Sequence, residues 1–153
     1  MNPTSRAALR VDVMGAEGFR QFPYFDCCGK PYRQCTCEKR GALTIGYGRN
    51  LDANGISKLE GEVLLDHDLF TAETTAQRLF DWFAALSELR QRAVTELIFN
   101  MGAGTVLTFK KTLAAFKAKQ YTLAAERLLD SLWAEQVGPT RSGRIARYVR
   151  EGR

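Results

Sequence analysis

Leu9 and Val13 fall one helical turn apart between Ser5 and Glu17, which predicts a short amphipathic helix with Gly18 placed to stop it. From Phe19 to Gly55 the pattern changes. Glycines, aromatics and β-branched residues predominate, and Asn54-Gly55 is a turn signal, so residues 18–56 read as a small lobe of strands and loops. Ser57-Lys58-Leu59-Glu60 then matches a capping box, in which a serine hydroxyl and a glutamate three residues on satisfy each other's backbone N–H groups. A long connecting helix over 57–80 follows. Helical periodicity resumes near Ser87, where Leu89, Ala93, Val94, Leu97, Ile98 and Met101 make a broad apolar face before Gly102-Ala103-Gly104 breaks it. Further helices are expected at 108–119, at 122–135 and from about Ser142 to the end. For the second, Thr122 is the expected N-cap, with Leu128, Leu129, Leu132 and Trp133 turned inward. The expected fold is α+β and mostly α, with a small N-terminal β lobe and a larger helical lobe over 86–153.

Composition changes this picture little. At 153 residues the chain fits one domain able to bury a core, and 45% hydrophobic with 25% charged residues is ordinary for a globular protein. No apolar run approaches a membrane span, and no apolar stretch follows the N-terminus to act as a signal peptide. Synthesis in a cytoplasm is therefore the expectation. The net charge of +5 favours anionic partners. Arg141, Arg144, Arg147, Arg150 and Arg153 recur every third residue, a stripe read mainly as a solvated helix face. His67, the sole histidine, is read as a surface residue of the connecting helix.

The candidate chemistry lies near the N-terminus. Glu17 is placed at a helix end, where the negative pole disfavours an ionised carboxylate and a partly buried glutamate would have its pKa raised. Asp26, in a loop, has no such handicap. Two carboxyls with different surroundings are the minimum for acid/base cleavage of a glycosidic bond.

Three segments carry a family resemblance. Glu17-Gly18-Phe19-Arg20, with Asp26 and Thr44-Ile45-Gly46-Tyr47-Gly48-Arg49-Asn50, resembles the first signature of the phage lysozyme (endolysin) muramidases of the T-even type. Asn100-Met101-Gly102-Ala103-Gly104-Thr105 with Phe109 is similar to the second, and Trp133 to Arg144 to the third. The resemblance implies a two-lobed lysozyme-like fold and hydrolysis, with inversion, of the β-1,4 bond between N-acetylmuramic acid and N-acetylglucosamine. It implies Glu17 as general acid, Asp26 as the carboxylate that positions water, and Thr44 as the hydroxyl holding that water. It further implies Tyr47, Phe99, Asn100 and Thr112 as substrate-facing residues, and Arg141 or Arg144 as the partner of Glu17. No cofactor is expected for catalysis. The expected role is that of a monomeric phage or prophage endolysin, released by a holin, with peptidoglycan and anionic wall or outer-membrane polymers as partners. The rival readings are an inactive wall-binding module of the same fold and a zinc-containing nucleic-acid binder. The latter lacks an evident base-reading or stacking surface, so no nucleic-acid partner is expected.

Two features depart from that family. Arg49 stands where T-even members have a histidine, so any salt link of that histidine needs a replacement. Residues 27–41 form an insertion of about a dozen residues holding all four cysteines, Cys27, Cys28, Cys35 and Cys37. Four thiolates suit a structural zinc, although the usual spacing of two to four residues within each pair is missing. Two disulfides, each from Cys27 or Cys28 to Cys35 or Cys37, and free thiols are the alternatives. In each case Cys27 adjoins Asp26.

Overall fold

The computed structural model describes residues 1–153, which divide into two compact units, Met1–Gly61 and Glu62–Arg153. The class is α+β and mostly α, with seven helices and one three-stranded antiparallel sheet. No helix is long and apolar enough to cross a membrane.

In the first unit, α1 (Pro3–Glu17) starts at Asn2, whose side chain accepts the Ser5 N–H at 2.8 Å, and a proline at the first helical turn needs no N–H partner there. Gly18 ends it as expected. The sheet follows in the order β1 (Arg20–Phe25), β2 (Leu43–Gly46), β3 (Arg49–Asn50). Its register sets Tyr24 opposite Thr44, Phe25 opposite Leu43 and Thr44 opposite Asn50. Asn54-Gly55, expected as a simple turn, instead closes the one-turn helix α2 (Leu51–Asn54), which the Asn50 side chain caps through the Ala53 N–H at 2.9 Å. The predicted capping box is present at the head of α3 (Lys58–Leu79): Ser57 N–H donates to Glu60 Oε2 at 2.7 Å, and Glu60 N–H donates to Ser57 Oγ at 3.2 Å. Backbone and hydroxyl of Ser57 together hold the Glu60 carboxyl below its ordinary pKa, with Arg49 adding a smaller pull.

The second unit is helical. It holds the rest of α3, then α4 (Glu88–Thr108), α5 (Lys110–Lys117), α6 (Tyr121–Leu129) and α7 (Leu132–Glu151). α5 packs on α6, and α4 and α6 pack on α7, around Val94, Phe83, Phe116, Leu128, Ile145 and Val149. The face predicted for 89–101 supplies the buried Ala93, Val94, Leu97 and Ile98, and α4 kinks at Gly102 as the Gly-Ala-Gly run suggests. Phe80, Trp82 and Phe116 stack in series, with centroids 4.7 and 5.4 Å apart.

Two expectations for this unit need correction. The single helix over 122–135 is two helices, and Gln120, not Thr122, precedes the first. The chain turns at Asp130–Ser131, because Ser131 Oγ donates to Leu128 O and accepts the Ala134 N–H, ending one helix and starting the next. Leu128 and Trp133 are buried as expected, but Leu129 and Leu132 are 41% and 74% exposed. The last helix, α7, runs from Leu132, but its backbone is non-helical at Gly138 ahead of Pro139, which cannot donate to the preceding turn, so the stretch expected from about Ser142 to the end is the part that follows this kink.

Candidate active site

Glu17, Asp26 and Thr44 all belong to the first unit. Glu17 ends α1, Asp26 directly follows β1, and Thr44 lies within β2. The turn after β1 is defined by Cys28 and Gly29 N–H groups on Phe25 O and by Phe25 N–H on Lys30 O, with Tyr24 bridged to Pro31. Asp26 is the first residue of that turn, and its N–H donates to Ala42 O at 3.1 Å. Thr44 Oγ1 donates to the same carbonyl at 3.2 Å. One backbone oxygen thus ties the aspartate and the threonine together. Thr44, at 5% exposure, is the only buried residue among 1–61. Both carboxylates are exposed.

Two glycines make room for these acids. A Cβ on Gly48 would come 3.1 Å from Glu17 Oε2, and φ there is +81°. A Cβ on Gly41 would come 1.8 Å from Asp26 Oδ1 and 2.7 Å from Cys27 N. Gly48 belongs to the glycine-rich motif read from the sequence, but neither Gly41 nor the Ala42 carbonyl is among the residues singled out there, since each contributes only backbone. Tyr47, 40% exposed, sets its ring 5.4 Å from that of Phe19 and lines a shallow apolar cleft with Leu9, Val13 and Met14 of α1. Arg49 donates to Gly55 O at 2.7 Å and pairs with Glu60 at 2.8 Å.

The remaining predicted residues lie in the second unit. A groove there is lined by Phe70 and Glu73 of α3, by Thr95, Glu96 and Phe99 of α4, and by Arg141. Phe99 is 39% exposed. Its neighbour Asn100 accepts a hydrogen bond from the buried Trp133 indole at 2.8 Å. Thr112, expected to face substrate, is buried at 5% exposure. Arg141 and Arg144, one or the other of which is expected as the partner of Glu17, both bind Glu96 within their own unit, at 3.0 and 2.7 Å. The Glu96 carboxylate, ahead of Tyr148, holds the Arg144 guanidinium above its ordinary pKa. The arginine stripe is therefore partly structural. Glu96 itself carries a weak sequence signal, a carboxylate in the middle of a helix with a broad apolar face.

The four cysteines converge. Their sulfurs all lie within 4.8 Å of one another, with Cys27 and Cys35 at 3.8 Å, and none is bonded to another. Hydrogen bonding to the sulfurs of Cys27, Cys28 and Cys35 pushes the Cys37 thiol up to about 12.

The sequence model of the phage lysozyme family matches residues 15–151, a span that takes in Glu17, Asp26, Thr44, Glu96, Arg141 and Arg144. The chain belongs to the phage lysozyme family. Among curated relatives, this phage lysozyme family member is 30% identical over 114 residues to "Probable T4-type lysozyme 1" of Dictyostelium discoideum, covering 71% of the chain. It is 32% identical over 100 residues to "Probable T4-type lysozyme 2" of the same organism, covering 63% of the chain. The chain spans 66% and 58% of the length of these two relatives.

Proposed function

We propose that this family member is a muramidase that hydrolyses the β-1,4 bond from N-acetylmuramic acid to N-acetylglucosamine in bacterial peptidoglycan, with inversion. The observation that carries the reading is the shared Ala42 carbonyl, which links the Asp26 backbone to the Thr44 hydroxyl on one strand pair. In this reading the Glu17 carboxyl protonates the leaving glycosidic oxygen. The Asp26 carboxylate accepts a proton from a water molecule that the Thr44 side chain helps to hold, and that water attacks the anomeric carbon from the opposite face of the sugar. The bond to the leaving oxygen breaks as the bond to water forms, so charge balances without a cofactor. Tyr47, beside the proposed acids in the first unit, is proposed to touch the glycan, aromatic faces suiting pyranose rings. The proposed setting is host lysis by a phage or prophage, with release through a holin-like pore.

Clearing of a peptidoglycan suspension tests this. The wild-type chain clears it, and Glu17→Gln and Asp26→Asn each lower the rate by about 10²–10⁴-fold, the usual worth of a positioned acid or base. A wild-type protein that binds the wall but does not clear it would replace this reading with that of an inactive wall-binding module. For the lysis role, co-expression with a pore-forming protein should lyse the host, and expression alone should not.

A further inference from the structure

We propose that Cys27, Cys28, Cys35 and Cys37 form a tetrahedral zinc site that clamps the insertion 27–41 against Asp26. The binding part of the proposal stands on geometry alone, and its consequence for turnover rests on the muramidase reading.

Four independent observations converge on it. The first is distance. A zinc ion with four sulfur ligands at about 2.3 Å spaces those sulfurs about 3.8 Å apart. The Cys27–Cys35 separation is 3.8 Å, and all four sulfurs lie within 4.8 Å of one another. Four mutually close thiols fit one shared ion better than two separate disulfides, which would draw the sulfurs into two pairs. The second is how the backbone delivers them. Cys27 and Cys28 sit in the tight turn that follows β1, and Cys35 ends the 3-10 turn Tyr32–Gln34, with Cys37 two residues on. The adjacent and one-apart spacings, unusual in the sequence, are accommodated because a turn and a 3-10 turn face each other.

The third observation is what else holds the segment. No residue from 27 to 41 is buried, and Thr44 alone is buried in the whole first unit. A body of about 60 residues is marginal on hydrophobic burial and commonly needs a metal or a cross-link. The fourth is charge. Four thiolates around one divalent zinc carry a net negative charge, and the insertion supplies Lys30, Arg33, Lys39 and Arg40 against Glu38 alone. Among thiolate-seeking metals zinc is the one chosen here, because it is redox-inert and accepts a closed tetrahedron without geometric strain.

The site bears directly on the aspartate. The chain leaves the sheet at Asp26 and returns at Gly41 and Ala42, where the Asp26 N–H meets Ala42 O and the Asp26 carboxylate fills the space over Gly41. A metal joining Cys27 to Cys35 and Cys37 shortens the free loop and holds both ends of that contact. The cysteines would thus be positioning residues, acting through Asp26.

The test uses the full chain, purified without chelator under mildly reducing conditions. Elemental analysis should find about one zinc per chain, with the thiols slow toward a thiol reagent until a chelator is added in denaturant, when all four react. Cobalt(II) exchanged into the same protein should show thiolate-to-cobalt charge transfer and tetrahedral ligand-field bands. Cys35→Ser/Cys37→Ser should lose the metal. If that variant fails to fold, chelated wild-type protein serves instead. It should keep its helical circular dichroism, become susceptible to trypsin within 27–41, and regain protection with zinc but not with magnesium. Loss of zinc should lower kcat on peptidoglycan with little change in KM. Four freely reactive thiols without metal, no thiols after non-reducing denaturation, or iron in place of zinc would each overturn the proposal. Because metal content is read without activity, an inactive protein that binds zinc would sink the muramidase reading and leave the site standing.

Discussion

The Ala42 carbonyl accepts from both the Asp26 N–H and the Thr44 hydroxyl, so the backbone, not only the side chains, sets the relation between two of the three residues proposed to act on the glycan. Gly41 lies beside that arrangement with no room for a side chain. Gly41→Ala should displace the Asp26 carboxylate and strain Cys27 N, lowering kcat about 10-fold or more while KM for peptidoglycan changes little. Steady-state kinetics with unchanged circular dichroism checks it, and an unaltered kcat would show that the aspartate tolerates the shift. Glu17, Asp26 and Thr44 were named from the sequence because the proposed chemistry needs their side chains at matching motif positions. Gly41 and Ala42 were not, since what they contribute is an absent Cβ or a carbonyl, and neither leaves a side-chain signature.

At the level of elements, the capping box at Ser57 and Glu60 was legible because both partners lie within one turn. Its pH dependence follows from the depressed Glu60 pKa, whose largest cause is the Ser57 N–H. The folded carboxyl titrates below the unfolded one, so this contribution is present above the ordinary carboxylate range and is lost as pH falls through the lower, folded value. Melting of Glu60→Gln should accordingly depend less steeply on acid pH than the wild type does. Equal slopes would mean the cap is not formed. The break at Ser131 escaped the periodicity because Leu128 to Trp133 continue a helical apolar pattern, and only a hydroxyl that bonds in both directions interrupts it. Arg90 is a second cap beyond local reach. It donates to Val149 O at 2.8 Å and Arg150 O at 3.1 Å at the end of α7, with its guanidinium 3.7 Å from the Tyr121 ring centroid. Arg90→Ala should cost about 1–3 kcal/mol of stability by urea denaturation, as expected for charge-assisted bonds to backbone carbonyls. A change below about 0.5 kcal/mol, the ordinary range for surface substitutions, would contradict that role.

On the scale of the whole molecule, the two units differ in what holds them. The second rests on a continuous apolar core, so Phe116→Ala should destabilise by about 3–5 kcal/mol in chemical denaturation. The first has almost no buried side chains and is proposed to depend on its metal. Net charge of +5 should aid approach to anionic wall polymers, so clearing should slow as ionic strength rises and the screening length falls below about 10 Å. The central claim is the bond that is cut, and the reducing ends released from purified peptidoglycan report it most directly. After borohydride reduction the products should carry reduced N-acetylmuramic acid, and Glu17→Gln should release none. Reduced N-acetylglucosamine at those ends, or equal release by the Glu17→Gln variant, would contradict the account.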